Sequence, residues 1–273
     1  ASNIRMMGVE YRDVMKQNTA FNQALGTASV LSQDIIGHAA VLAERMNMSQ
    51  EAVTGMMIAA VGTGKSVKQV SDEAIIGLRN AEKELGVRMD IKAMMELSSK
   101  ITGRIRGQFA GNLELLTKSV TKAKALGMTM GDVAGNSRKL LDFQTSISDE
   151  IQAELFLGRE LNLEKARLAA LTADYDTYMN EIVKNAGDFF QFSEMNVFQQ
   201  EKLAQALGMN ADSLADMLLA QETLGSLQEA AANATTEETN QRLMQVSLQQ
   251  QFNLTMEKLK FLLINLVASL ERF

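Results

Sequence analysis

Residues 109–133 read FAGNLELLTKSVTKAKALGMTMGDV, and this stretch decides the fold class. Phe109, Leu113, Leu116, Val120 and Ala123 recur at steps of four, three, four and three, which places them on one face of a helix. The helix then meets Leu126-Gly127-Met128: an apolar residue, a glycine, a second apolar residue. Glycine and asparagine tolerate the left-handed backbone that closes a helix, and the apolar residue after them can fold back onto the last turn. Thr129 or Asp132 then offers a cap for the next helix.

The same phrase recurs on both sides, as Met46-Asn47-Met48, Leu85-Gly86-Val87, Leu161-Asn162-Leu163 and Leu207-Gly208-Met209, with Ser49, Asp90 and Asn210 as further caps. The stops Asn47, Gly86, Gly127, Asn162 and Gly208 lie 39, 41, 35 and 46 residues apart. They predict an all-α chain with helix stops, or hinges, about every 40 residues, each interval holding one long helix or one helical hairpin. An α-solenoid has a period of this size, and so has a row of hinged helices without a strict repeat. Three regions follow: an N-terminal helical region over 1–125, a central helical hairpin region over 126–227, and a joint with a C-terminal helix over 228–273. The joint is the Ala- and Asn-rich run Gln228 to Thr236, closed by the capping box Thr235-Thr236-Glu237-Glu238.

The C-terminal segment has its own pattern. Phe252, Met256, Leu259, Leu263, Leu266, Leu270 and Phe273 step by four and three in alternation, nearly three heptads of a coiled-coil-like seam. Leu254, Phe261, Leu262, Ile264 and Val267 widen the stripe beyond a two-stranded seam. Three readings fit: a bundle core within the chain, an oligomer seam, and a membrane-active helix. The run Phe261 to Val267 is too short to span a bilayer.

Composition agrees with the helical reading and removes several chemistries. Among 273 residues there is no Pro, no Cys and no Trp, and one His. Proline is ordinarily about 5% of a chain, and it is the residue that a helix interior cannot hold. Without Cys there are no disulfides, thiolate metal sites or Cys nucleophiles. With His38 alone there is no multi-histidine metal site. A net charge of −6 gives no global attraction to phosphate, so specific nucleic-acid binding is not expected. Neither a cofactor nor an enzymatic activity is expected.

The local motifs divide between functional and structural readings. Ala59-Ala60-Val61-Gly62-Thr63-Gly64-Lys65-Ser66 ends like a phosphate-binding loop, but Ala59 stands where the pattern needs glycine. Met56-Met57-Ile58 passes as the strand before it, and a glycine turn between helices fits equally. His38 reads as a partly buried polar residue. The pairs Asp149-Glu150 and Glu237-Glu238 read as helix-start acids that complement the macrodipole. Arg104, Arg106, Lys118, Lys122 and Lys124 form either a basic patch for an acidic partner or DNA, or a solvated face. The pairs Met6-Met7, Met56-Met57 and Met94-Met95 suit adaptable helical interfaces or ordinary core. No residue is nominated as catalytic or metal-binding.

The helical phrases together resemble a family. Leu126 to Ala134 leads into Leu140-Leu141-Asp142-Phe143-Gln144-Thr145-Ser146-Ile147, Glu150 to Leu155 and Gly158 to Arg167; Glu201 to Met209 then precedes Leu214 to Leu218. This resembles the tail tape measure proteins of long-tailed bacteriophages, contractile-tailed ones above all, over residues 80–270. The resemblance implies a structural virion protein in the tail tube lumen or near the tail tip, made in the host cytoplasm. It would set tail length, fill the tube and assist genome ejection. The implied partners are further copies of itself, as a trimer or hexamer, the tail tube and baseplate or hub proteins, and the host membrane during infection. One continuous helix of 273 residues would reach roughly 400 Å at 1.5 Å per residue. The five stops instead imply folded hairpins, and so a terminal region or a segment of a longer polypeptide. The alternatives are an α-helical solenoid or bundle adaptor and a membrane-inserting secreted translocator. Either way, Phe252, Met256, Leu259, Leu263, Leu266 and Leu270 form the candidate oligomer or membrane face.

Overall fold

A computed structural model describes residues 10–101 and 103–233. Among the described residues there are fourteen helices and no strand. The first five are α1 (Tyr11–Leu25), α2 (Gln33–Arg45), α3 (Gln50–Thr63), α4 (Val67–Leu85) and α5 (Ile91–Lys100). Then come α6 (Gly103–Gln108), α7 (Leu113–Ala125), α8 (Met130–Lys139), α9 (Phe143–Leu157) and α10 (Glu164–Thr172). The last are α11 (Tyr175–Ala186), α12 (Phe189–Glu194), α13 (Val197–Ala206) and α14 (Ala211–Asn233).

The chain divides into two units, Ala1–Gly225 and Ser226–Phe273. In the first, α7 packs against α4, α5, α8 and α11. Helices α1, α2 and α3 pack among themselves and onto α4 and α5; α10 pairs with α11, and α9 with α13. Leu113, Leu116, Val120 and Ala123 form a buried face of α7 as predicted; Phe109 is buried as well but lies in the turn before that helix, where Ala110 and Gly111 have φ of +47° and +77°. Met56, Met57, Met94 and Met95 are core residues; Met6 and Met7 lie outside the described residues. In the second unit only 226–233 is described, as the end of α14. The heptad seam from Phe252 and the capping box from Thr235 lie outside the described residues.

Local chemistry sets the boundaries. Ser49, Asp90, Thr129 and Asn210 each accept the amide N–H three residues on, an N-cap contribution of about 1 kcal/mol each. Thr129 and Asp132 act together, as the two halves of one capping box. Asn47, Gly86, Gly127 and Gly208 have φ of +49°, +64°, +72° and +74°. After three of these stops the following methionine (Met48, Met128 or Met209) is buried, and its N–H returns to the preceding helix at Leu42, Ala123 or Ala204. A Cβ on Gly77 would stand 2.0 Å from the Glu114 carbonyl, so α4 and α7 meet backbone to backbone there.

Three expectations change. Helix ends are more frequent than one per 40 residues: left-handed Gly26, Gly64 and Gly158 also close helices. The stop assigned to Asn162 belongs to Gly158, which ends α9 at φ +65°. Asn162 is held instead by Asn185, whose Oδ1 accepts its N–H (2.7 Å) and whose Nδ2 donates to its carbonyl (3.0 Å). The joint expected from Gln228 is helical as far as Asn233, as the helix propensity of Ala230, Ala231 and Ala232 favours.

Candidate functional site

The glycine run at 59–66 is a helix–turn–helix. Met56, Met57 and Ile58 lie within α3, not on a strand; Gly64 closes that helix and Ser66 opens α4 with a capping box to Gln69. Lys65 is paired with Glu73 at 2.6 Å and Lys68 with Asp72 at 2.6 Å. His38 Nδ1 sits 2.9 Å from the Asp34 carbonyl oxygen, a local helical contact. Asp149 and Glu150 are not at a helix start, because Asp142 caps α9 two turns earlier. Asp149 accepts from Gln205 Nε2 (2.9 Å). Glu150 binds Arg167 (2.5 Å) and the Leu163 N–H (2.9 Å), tying α9 to the start of α10. Glu237 and Glu238 lie outside the described residues. Among the described residues, no group of three or more His, Asp or Glu side chains could hold a metal ion.

The basic cluster separates. Lys124 and Arg104 are exposed. Lys118 and Lys122 instead turn inward, with only 17% and 6% of their side chains exposed. Lys118 meets Glu84 (2.5 Å) and Asp176 (3.0 Å); Lys122 meets Glu84 (2.9 Å), Asp176 (2.5 Å) and Asn180 Oδ1 (3.1 Å). Two cations and two anions thus lock α4, α7 and α11. Burial works to raise the pKa of Asp176, but Lys122 and Lys118 outweigh it and hold the carboxyl below its ordinary value. Glu84 is lowered by the same balance, and Lys118 is raised by Glu84 and Asp176 against its own burial. Tyr178 on α11 is fully buried, and burial pushes its phenol well above the ordinary value. Neither a DNA-facing patch nor a solvated face describes these two lysines.

Two surface features were not foreseen. The first is a row on α9. Phe143, Ile147, Ile151 and Leu155, four residues apart, are all exposed, Ile151 at 59% and Leu155 at 77%. Polar contacts hold the other side of this helix to α13: Lys202 to Gln152 Oε1 (2.9 Å) and Gln199 Nε2 to the Phe156 carbonyl (2.9 Å). The rings of Phe156 and Phe198 meet edge to face, centroids 4.7 Å apart, and both are partly exposed beside Leu155 and Val197. The four-residue step was readable in the sequence, but it marks an apolar face without saying whether that face is covered.

The second is a cleft of about 630 Å³ between α1, α3, α5 and α6. Ala20 and Ala24 of α1 and Gly55 and Ile58 of α3 give it an apolar floor. Its charged groups are Glu51, Lys100 and Arg106, with Gln23, Gln50, Thr54 and Ser99 as further polar residues. Gly55 lets α3 approach α5 closely, since a Cβ there would stand 2.4 Å from the Ser99 carbonyl. Arg106 donates to the carbonyls of Gly55 (3.2 Å), Ile101 (3.3 Å) and Ser99 (3.5 Å). Burial lowers its pKa. No local pattern could announce this cleft, because small residues from three distant segments build it.

The chain matches no protein-family model, no curated protein and no solved structure. No described helix is long and apolar enough to cross a membrane.

Proposed function

We propose that the chain is a non-enzymatic structural protein of a bacteriophage tail, a tape measure protein or a folded segment of one. Its work is packing: filling the tube, setting tail length and assisting genome ejection. The resemblance of the helical phrases from Leu126 to Leu218 suggests this reading, and the exposed row on α9 supports it most directly. Phe143, Ile147, Ile151 and Leu155 fall inside that stretch and give an otherwise well-capped helix an uncovered apolar face. Such a face marks a surface that assembles with other protein. The partners are further copies of the chain and the surrounding tube and hub proteins.

The test is composition of the particle. Purified tails from the source phage are expected to contain the chain at a small fixed copy number per tail. Detecting it only as a free protein in lysates, absent from purified tails, overturns the assignment. Tails carrying Ile151→Glu with Leu155→Glu are expected to assemble poorly or at the wrong length.

A further inference from the structure

The cleft between α1, α3, α5 and α6 holds a cation that the fold leaves only partly compensated. Arg106 forms three hydrogen bonds, all to backbone carbonyls, and no carboxylate pairs with it among the described residues. A guanidinium carries five N–H donors, so about two remain. Lys100 and Glu51, the other charged groups in the lining, already face each other at 3.8 Å. The lining therefore carries one net positive charge, at Arg106, above a floor of Ala20, Ala24, Gly55 and Ile58. A volume near 630 Å³ with a mostly apolar surface, edged by polar side chains, is that of a small-molecule site.

We propose that this cleft binds a small amphipathic carboxylate, its apolar chain lying along α1 and α3 and its carboxylate on Arg106. A monoanion matches the single residual charge, and a guanidinium holds a carboxylate through paired N–H donors. The lining has no aromatic residue to stack a base and no second unpaired cation for a phosphate dianion. Ala20 and Ala24 of α1 and Gly55 and Ile58 of α3 give the alkyl chain its apolar contacts. The proposal stands apart from the tail assignment and would hold for any parent protein.

The experiment titrates the full chain with octanoate and, separately, with octanol, following binding by saturation-transfer NMR and calorimetry. Octanoate is expected to bind at least about tenfold more tightly than the neutral alcohol, as one charge-assisted contact requires. Arg106→Met should remove that preference. Arg106 also holds three carbonyls, so Ala24→Phe provides a variant that fills the cleft from an exposed helical position. It should abolish octanoate binding with the thermal melt unchanged. Equal affinity for octanoate and octanol, binding of neither, or undiminished octanoate binding by Ala24→Phe overturns the proposal. So does binding of an acidic peptide with none of octanoate.

Discussion

Helices α7 and α9 are inverted versions of one another. On α7 two lysines point into the protein and are neutralised by Glu84 of α4 and Asp176 of α11. On α9 four large apolar side chains point out, and glutamine, aspartate and lysine contacts bind it to α13. An inward charge is tolerated where every partner comes from rigid packed helices, because the low-dielectric setting then strengthens the attraction it needs. An outward apolar row has no such internal compensation. The proposed role supplies it instead through a partner outside this body, which the variants below test.

The largest stability effect is expected at the α4–α7 contact. Gly77→Ala puts a methyl group against the Glu114 carbonyl, which belongs to a helix backbone and cannot swing away. The helix propensity gained, about 1 kcal/mol, is outweighed by overpacking of about 4 kcal/mol, above the usual range because the facing group is helix backbone, for a net loss of about 3 kcal/mol. For a unit of this size the melting temperature is expected to fall by about 6–12 °C in a thermal denaturation scan. An unchanged melt would mean that the helices do not touch there.

Next in size is Lys122→Met. It leaves Asp176 in the interior with only Lys118, and the expected loss is about 2 kcal/mol by urea unfolding. Lys124→Met, two residues on and on the exposed face of α7, should move stability by less than about 0.5 kcal/mol. The contrast between two neighbouring lysines is the sharpest check that one lies in the seam and the other in water.

The same seam contributes to a pH window, together with Glu82, whose pKa is also lowered, on the acid side and Tyr178, raised by burial, on the alkaline side. Asp176 and Glu84 have lowered pKa values in the fold, so the unfolded chain binds more protons in acid. Their contribution is complete above the unfolded carboxylate range near pH ~4 and is lost as pH falls through the lowered folded values. Lys118 has a raised pKa, so its contribution is complete below pH ~10 and is lost at higher pH. Stability followed by circular dichroism is expected to be level between these limits and to fall on both sides. Asp176→Asn should flatten the acid limb while lowering the plateau by about 2 kcal/mol. An acid limb as steep as that of the parent chain would locate the responsible carboxylates elsewhere.

Helix class was legible from the α7 face alone, because period and burial coincide there. The left-handed positions at Gly86, Gly127 and Gly208 were also legible, since a glycine between apolar residues has few other uses at the end of a periodic run. Asn162 misled because its neighbours imitate that phrase while Gly158, four residues earlier, has the lower-energy left-handed conformation. Lys118 and Lys122 were not legible. Lysines on one helix face look alike whether solvated or buried, and their partners lie 38 and 58 residues away in sequence. The cleft around Arg106 was further out of reach, because alanine and glycine leave no periodic signal of the space they spare. A direct check of the helix-end correction is that Gly158→Ala should cost about 1 kcal/mol, whereas Asn162→Gly keeps φ freedom and loses no side-chain bond.

The smallest stability effect belongs to the α9 row, and its smallness is the point. Ile151→Glu with Leu155→Glu removes exposed apolar surface and breaks no hydrogen bond found at either side chain. The fold should therefore change by no more than about 0.5 kcal/mol. If the row is a surface for assembly, the same variant should lose self-association measured by analytical ultracentrifugation of the full chain, or fail to enter tails. A variant that melts like its parent and also assembles like it would leave α9 an ordinary surface helix, and the inversion between α7 and α9 would then have no functional meaning. Destabilisation by several kcal/mol would mean that the row is covered within the chain itself. Unchanged folding with lost assembly is the one outcome that assigns the inward charges of α7 to holding this body together and the outward side chains of α9 to joining it to something else.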